Sequence, residues 1–133
     1  NDPFFHLVSA TREEEAIGIA VGGHAVGCNS AVFMQSSGFG NTINAVASLC
    51  VPYRTPIPMF INLRGGPGEF NIAQVPMGRA TKPILDEFGL THFTFDDDIR
   101  MDERLDGALK LCHAARQPVA ICLTQLLHGG KVV

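Results

Sequence analysis

A chain of 133 residues with 46% hydrophobic residues can bury one core and does not have the composition of a disordered segment. Its net charge of -3 comes without a basic stripe, which excludes the footprint of a nucleic-acid-binding face and of a polybasic membrane contact. The longest uncharged stretch, between Glu15 and Arg54, is interrupted by His24, Asn29, Ser30, Gln35, Asn41 and Asn44, so it does not read as a membrane span.

Taken in order, "FHLVSA" is expected to be a short buried strand ending near Ala10, followed by a helix over about residues 12–27. "SAVFMQ" has strand length, and the loop "SSGFGN" opens a second helix running to Leu49. "IPMFINL" is a third strand, and "RGGPGEFNIAQVPMGRATK" reads as a long irregular loop dense in Gly and Pro. "KPILDEFGL" is a short helix stopped by Gly89, "THFTF" a strand, "DDDIRMDERLDGALKLCHAARQ" a loop leading into an amphipathic helix, and "PVAICLT" a final buried strand. Strands alternating with helices predict one α/β domain over residues 1–133, with a mostly parallel sheet covered on both faces. Ligands of such sheets bind beyond the carboxyl ends of the strands. Residues 11–15, 35–41 and 64–82 should therefore share one rim.

Four cysteines, Cys28, Cys50, Cys112 and Cys122, form no CxxC pair and lie in apolar surroundings. They are expected to be small buried hydrophobes in a reducing, cytoplasmic setting, with neither a disulfide nor zinc. His6, His24, His92, His113 and His128 lack metal-ligand spacing, and His24 among glycines reads as a packed or interface residue. The triplet Asp96, Asp97 and Asp98 reads as a solvated loop with a capping aspartate.

The stretch "TREEEAIGIAVGGHAVG" puts three carboxylates at the positive end of a helix dipole, and Thr11 with Glu14 forms a T-x-x-E capping box. Capping leaves Gly18, Gly22, Gly23 and Gly27 unexplained, since each costs roughly 1 kcal/mol of helix propensity relative to Ala. Close approach of a partner helix or a ligand is expected there. In "MQSSGFGN", Gly38 and Gly40 would let a ligand near the backbone. Neither the GxxxxGK[ST] phosphate loop, nor GxGxxG, nor a GxSxG nucleophile elbow occurs.

Together "TREEEAIGIAVGGHAVG", "MQSSGFGNTINAVASL" and "RGGPGE…AQVPMGR" resemble the thiamine diphosphate-dependent 2-oxo acid decarboxylases, in particular their sulfopyruvate and phosphonopyruvate branch. The likeness covers residues 9–90. It implies a three-layer α/β/α pyrimidine-binding domain in which a glutamate nine residues before a helix glycine activates the cofactor. Glu14, nine before Gly23, matches. Gln35, Ser36, Ser37, Gly38 and Asn41 would lie beside the pyrimidine or substrate, and Arg64, Gln74 and Arg79 would border a small anionic substrate. Val75 stands where phosphonopyruvate decarboxylase carries a histidine after the glutamine.

The family's GDG motif is absent, so Mg2+ and the diphosphate are expected to be held by a partner beta subunit in a hetero-oligomer. Relatives also carry about one more strand and helix ahead of "FHLVSA", and this sequence opens on "NDPFF" without Met, so missing residues are expected. The readings left open are sulfopyruvate, phosphonopyruvate or another short 2-oxo acid as substrate, and a non-catalytic binding or regulatory module in which Glu14 only caps.

Overall fold

The computed structural model describes residues 2–127; His128 lies outside them. Helix α1 (Glu13–Ala25) precedes strand β1 (Val32–Gln35), helix α2 (Ser36–Ala45) with a π-helical turn (Val46–Cys50), and strand β2 (Pro58–Asn62). A 3-10 turn (Ile72–Gln74) leads into α3 (Val75–Glu87), then β3 (His92–Phe95), α4 (Met101–Ala115) and β4 (Val119–Leu123). The four strands are all parallel, in the order β1-β2-β4-β3.

Alternation along the strands divides the core into two clusters. Met59, Ile61, Ala120 and Cys122 face α1, α2 and α3, where Ile17, Phe39 and Leu85 are fully buried. Ile121 and Phe95 face α4, where Ala108 is buried. The result is the expected three-layer α/β/α arrangement. On the α4 side Phe33 stacks on Phe60 with centroids 4.4 Å apart and stays 72% exposed, because the packing of α4 centres on β3 and β4.

Several local expectations need correction. "FHLVSA" is not a buried strand: Phe5, Leu7 and Val8 are exposed, and the segment pairs with no strand of the sheet. Without a ladder partner, its backbone groups have no reason to leave water. "SSGFGN" is not a loop either, since α2 begins at Ser36, directly after β1. The irregular stretch expected up to Lys82 contains the 3-10 turn and most of α3. Pro76 misleads because it lies in the first turn of the helix, where a missing N–H costs nothing. Pro83 is tolerated inside the helix, flanked by buried Thr81 and Leu85. Cys50, Cys112 and Cys122 are buried, but Cys28 is exposed, in the turn that leaves α1.

The junction of β2 with α3 depends on two glycines. A Cβ at Gly78 would overlap the Arg64 carbonyl, and one at Gly65, where φ is +79°, would lie 2.9 Å from Val75 Cα. By contrast, nothing lies within 4 Å of where a Cβ would stand at Gly18, Gly22 or Gly107. Close approach at Gly18 and Gly22 is therefore not made by any described residue.

Gly78→Ala should destabilise the fold by about 2 kcal/mol or more, because helix and strand-end backbones must separate. Gly107→Ala, in the open interior of α4, should instead stabilise it by roughly 0.5–1 kcal/mol. Denaturant unfolding of both variants checks the pair; a stable Gly78→Ala variant would contradict the close approach.

Candidate functional site

The three consecutive glutamates at the start of α1 have three different surroundings. Glu13 reaches α2, where Asn41 Nδ2 donates to its Oε2 at 3.0 Å. Gly38 makes the space for that carboxylate, since a Cβ there would lie 2.7 Å from Glu13 Oε1. Glu15 Oε2 turns back and accepts the Thr11 N–H at 2.7 Å. Glu14 Oε1 pairs with Arg12 Nε at 2.5 Å, while Glu14 Oε2 is buried with no hydrogen-bond partner.

The expected Thr11–Glu14 capping box is not formed. Arg12 is the N-cap and contributes no side-chain bond, and Glu15, at the third helical position, accepts from the Thr11 N–H one residue ahead of the N-cap. Glu14 is released from capping. Its carboxyl is held below the usual range by its own backbone N–H and then by the Arg12 guanidinium.

A second group gathers at the ends of β1, β2 and β4. The Glu69 side chain is 2% exposed and accepts from Arg64 Nε at 2.7 Å and Arg64 Nη2 at 2.9 Å. It also accepts from the Gly65 N–H, the Asn71 N–H and Gln125 Nε2. Arg64 Nη1 donates to Gln35 Oε1 at 2.9 Å. Arg64 was expected to face a substrate anion, but its fork is already satisfied by Glu69. Ser36 was expected beside the cofactor, but its hydroxyl is fully buried, donating to the Asn62 carbonyl and accepting the Arg64 N–H. These two residues tie strand ends together.

Of the other expected site residues, Ser37 is half-buried in the first turn of α2, one position before Gly38. Gln74 immediately precedes α3, and its Oε1 is buried without a partner. Arg79 is exposed on α3 and forms no ion pair with another described residue. The structure thus brings Glu13, Gly38 and Asn41 into contact and links Gln35 to Arg64, while Arg79 lines a cleft together with Arg64. Sequence reasoning missed Glu69, and it placed Glu13 only as a neighbour of Glu14 within one residue of register. Glu69 had a signal, an acid five residues after Arg64 in a Gly-rich turn.

Among the described residues no group of three His, Cys, Asp or Glu side chains could hold a metal ion. Asp97 accepts from the Ile99 N–H and from Arg104. His24 is half-buried, and His92 pairs with Asp86 at 3.0 Å. Burial pushes the Cys50, Cys112 and Cys122 thiols up to about 11, which removes them as nucleophiles at neutral pH. No helix among the described residues is long and apolar enough to cross a membrane.

No model of a known protein family matches the sequence. Among curated proteins, the alpha subunit of sulfopyruvate decarboxylase from Methanococcus maripaludis is 38% identical over 126 residues, covering 95% of this chain and 75% of that protein. The chain belongs to the sulfopyruvate decarboxylase alpha-subunit family. The alpha subunit from Methanothermobacter thermautotrophicus is 52% identical over 84 residues, 63% of this chain and 51% of that protein. The matching segment therefore spans about half of that relative. Phosphonopyruvate decarboxylase from Streptomyces viridochromogenes is 37% identical over 87 residues, 65% of this chain and 22% of that protein.

The donors around Glu69, Arg64 foremost, hold its carboxyl down at about 2, against an ordinary value of 4.5. A depressed carboxylate stabilises the fold fully above its unfolded value and loses that contribution as pH falls from about 4.5 toward 2. Glu69→Gln should be less stable than the wild type at pH 7, with the difference shrinking across that acid window. A pH-independent difference in unfolding midpoints would contradict the charged network.

Proposed function

We propose that this chain is the cofactor-activating subunit of a thiamine diphosphate-dependent 2-oxo acid decarboxylase. In this reading it acts with a beta subunit to convert 3-sulfopyruvate to sulfoacetaldehyde and carbon dioxide. Family membership supports the decarboxylase class, and the "subunit alpha" in the relatives' names supports a partner chain. The observation that carries the cofactor reading is the Glu14 carboxylate, which has one oxygen paired with Arg12 and the other buried and unpartnered.

Thiamine diphosphate fits that arrangement, because its aminopyrimidine offers a ring nitrogen that a carboxyl oxygen can share a proton with. When bound, the cofactor supplies a nucleophilic carbon and an electron sink for the electrons released with carbon dioxide. Glu14 Oε2 would hold and return the proton at the ring nitrogen. The Glu14 side chain is now 37% exposed and ionised; covering it with a second subunit disfavours its charge and brings its pKa closer to the working pH. Glu13 holds Asn41 and packs against the backbone at Gly38, and Ser37 and Gln35 would complete the pyrimidine side of the pocket. Gln74 and Arg79 would face the substrate, with Gln74 Oε1 available for a donor.

The diphosphate and Mg2+ would be held by the beta subunit. Gly18 and Gly22, open to solvent on α1, offer that subunit a surface on which backbones can come close. A phosphonopyruvate substrate is supported by the match to phosphonopyruvate decarboxylase, which covers a smaller share of that protein.

Titrating thiamine diphosphate with Mg2+ into the full-length chain, alone and mixed with a beta subunit, tests the reading. Binding and carbon dioxide release from sulfopyruvate are expected only in the mixture. Absence of cofactor binding in both samples would overturn the proposal.

A further inference from the structure

A cleft of about 430 Å3 opens beyond the carboxyl ends of β2, β3 and β4, roofed by one side of α3. Its lining includes Arg64, Arg79, Lys82, Asp96 and Thr124. The contact between Gly78 and the Arg64 carbonyl builds it, because it brings α3 down onto the exit of β2 and leaves the flanking residues of that helix face at the cleft wall.

The charges there are unusual for this chain. Arg12, Arg64, Arg100, Arg104 and Lys110 each sit in an ion pair. Among the described residues four basic side chains have no such partner: Arg54, Arg79, Lys82 and Arg116. Arg54 and Arg116 stand on exposed turns, each at φ +53°. Arg79 and Lys82 share the cleft. Lys82 is half-buried, so its ammonium has lost part of its hydration without gaining a counter-ion. Thr124 gives its N–H to the Phe95 carbonyl, while its Oγ1 is buried with no partner. Arg64 is neutralised by Glu69. Among the described residues Asp96 is the one carboxylate on the lining, against Arg79 and Lys82, on a chain of net charge -3.

We propose that Arg79, Lys82 and Thr124 form a binding site for a tetrahedral oxyanion, such as the sulfonate or phosphonate end of a small acid. Three or four oxygens around one sulfur or phosphorus match a planar guanidinium fork and an ammonium from α3 with a hydroxyl from the residue after β4. Where the oxyanion is the anionic end of the substrate, the inference rests on the function proposed above, and it assigns the role to Lys82 and Thr124 beside Arg79 in place of Arg64. The alternative source is a free inorganic anion.

Isothermal titration of sulfoacetate, and separately of inorganic sulfate, into the full-length protein at constant ionic strength tests the site without thiamine diphosphate or turnover. Failure here and failure of the decarboxylase reading are therefore distinguishable. Saturable binding to one site is expected. Arg79→Ala/Lys82→Ala should weaken it by about tenfold or more, as expected for losing charge-assisted hydrogen bonds, and Thr124→Val by several-fold. Arg54→Ala, an unpaired arginine outside the cleft, should bind as the wild type does. Tighter binding of sulfoacetate than of sulfate would support an anion carried on a carbon chain; equal binding would support the free anion. No saturable binding, unchanged binding in the double variant, or an equal loss in Arg54→Ala would overturn the site.

Discussion

The exit of β2 depends on one buried carboxylate. Glu69 accepts from both sides of the Arg64 guanidinium, from two backbone N–H groups and from the Gln125 amide, which ties the turn after β2 to the end of β4. Arg64 passes the constraint to Gln35 at the end of β1, and its carbonyl meets α3 at Gly78. A nearly water-free ion pair is tolerable here because each lone pair has a donor. Were one donor lost, the remaining charge would be buried without compensation, so this network fixes a geometry more than it adds stability.

That fixed rim explains why the three glutamates are not interchangeable. All sit in the first turn of α1, and the dipole favours a negative charge at each of them. What separates them is direction. Successive helix positions point about 100° apart, so one carboxylate meets α2, the next turns toward Arg12 with one oxygen buried, and the third folds back to the chain entering the helix. Three consecutive acids thus make three different contacts at one helix start.

Much of this was legible in the sequence. The alternation of β1 to β4 with helices fixed the class, and the apolar runs "VFMQ", "PMFIN" and "VAICL" each became a parallel strand. Prolines misled where position mattered more than identity, as at Pro76 and Pro83 in α3. "FHLVSA" misled because apolar content signals a strand only when a neighbour exists to pair with. At the site, the residue types and the rim were readable, but partnerships were not. Which glutamate turns back on the chain, and whether Glu69 neutralises Arg64, depends on backbone direction over four or five residues, whereas the Glu13–Asn41 and Arg64–Gln35 contacts cross more than 25; residue spacing encodes neither.

In the function proposed above, Glu14 serves the cofactor and neither Glu13 nor Glu15 replaces it. The most direct measurement is calorimetric titration of thiamine diphosphate with Mg2+ into the assembled complex carrying Glu13→Gln, Glu14→Gln or Glu15→Gln, with carbon dioxide release followed in parallel. The account predicts that Glu15→Gln loses only about 1 kcal/mol of helix stability, that Glu13→Gln weakens cofactor binding modestly while turning over, and that Glu14→Gln abolishes turnover with the fold intact. Full turnover in Glu14→Gln, or its loss in Glu15→Gln instead, would contradict it.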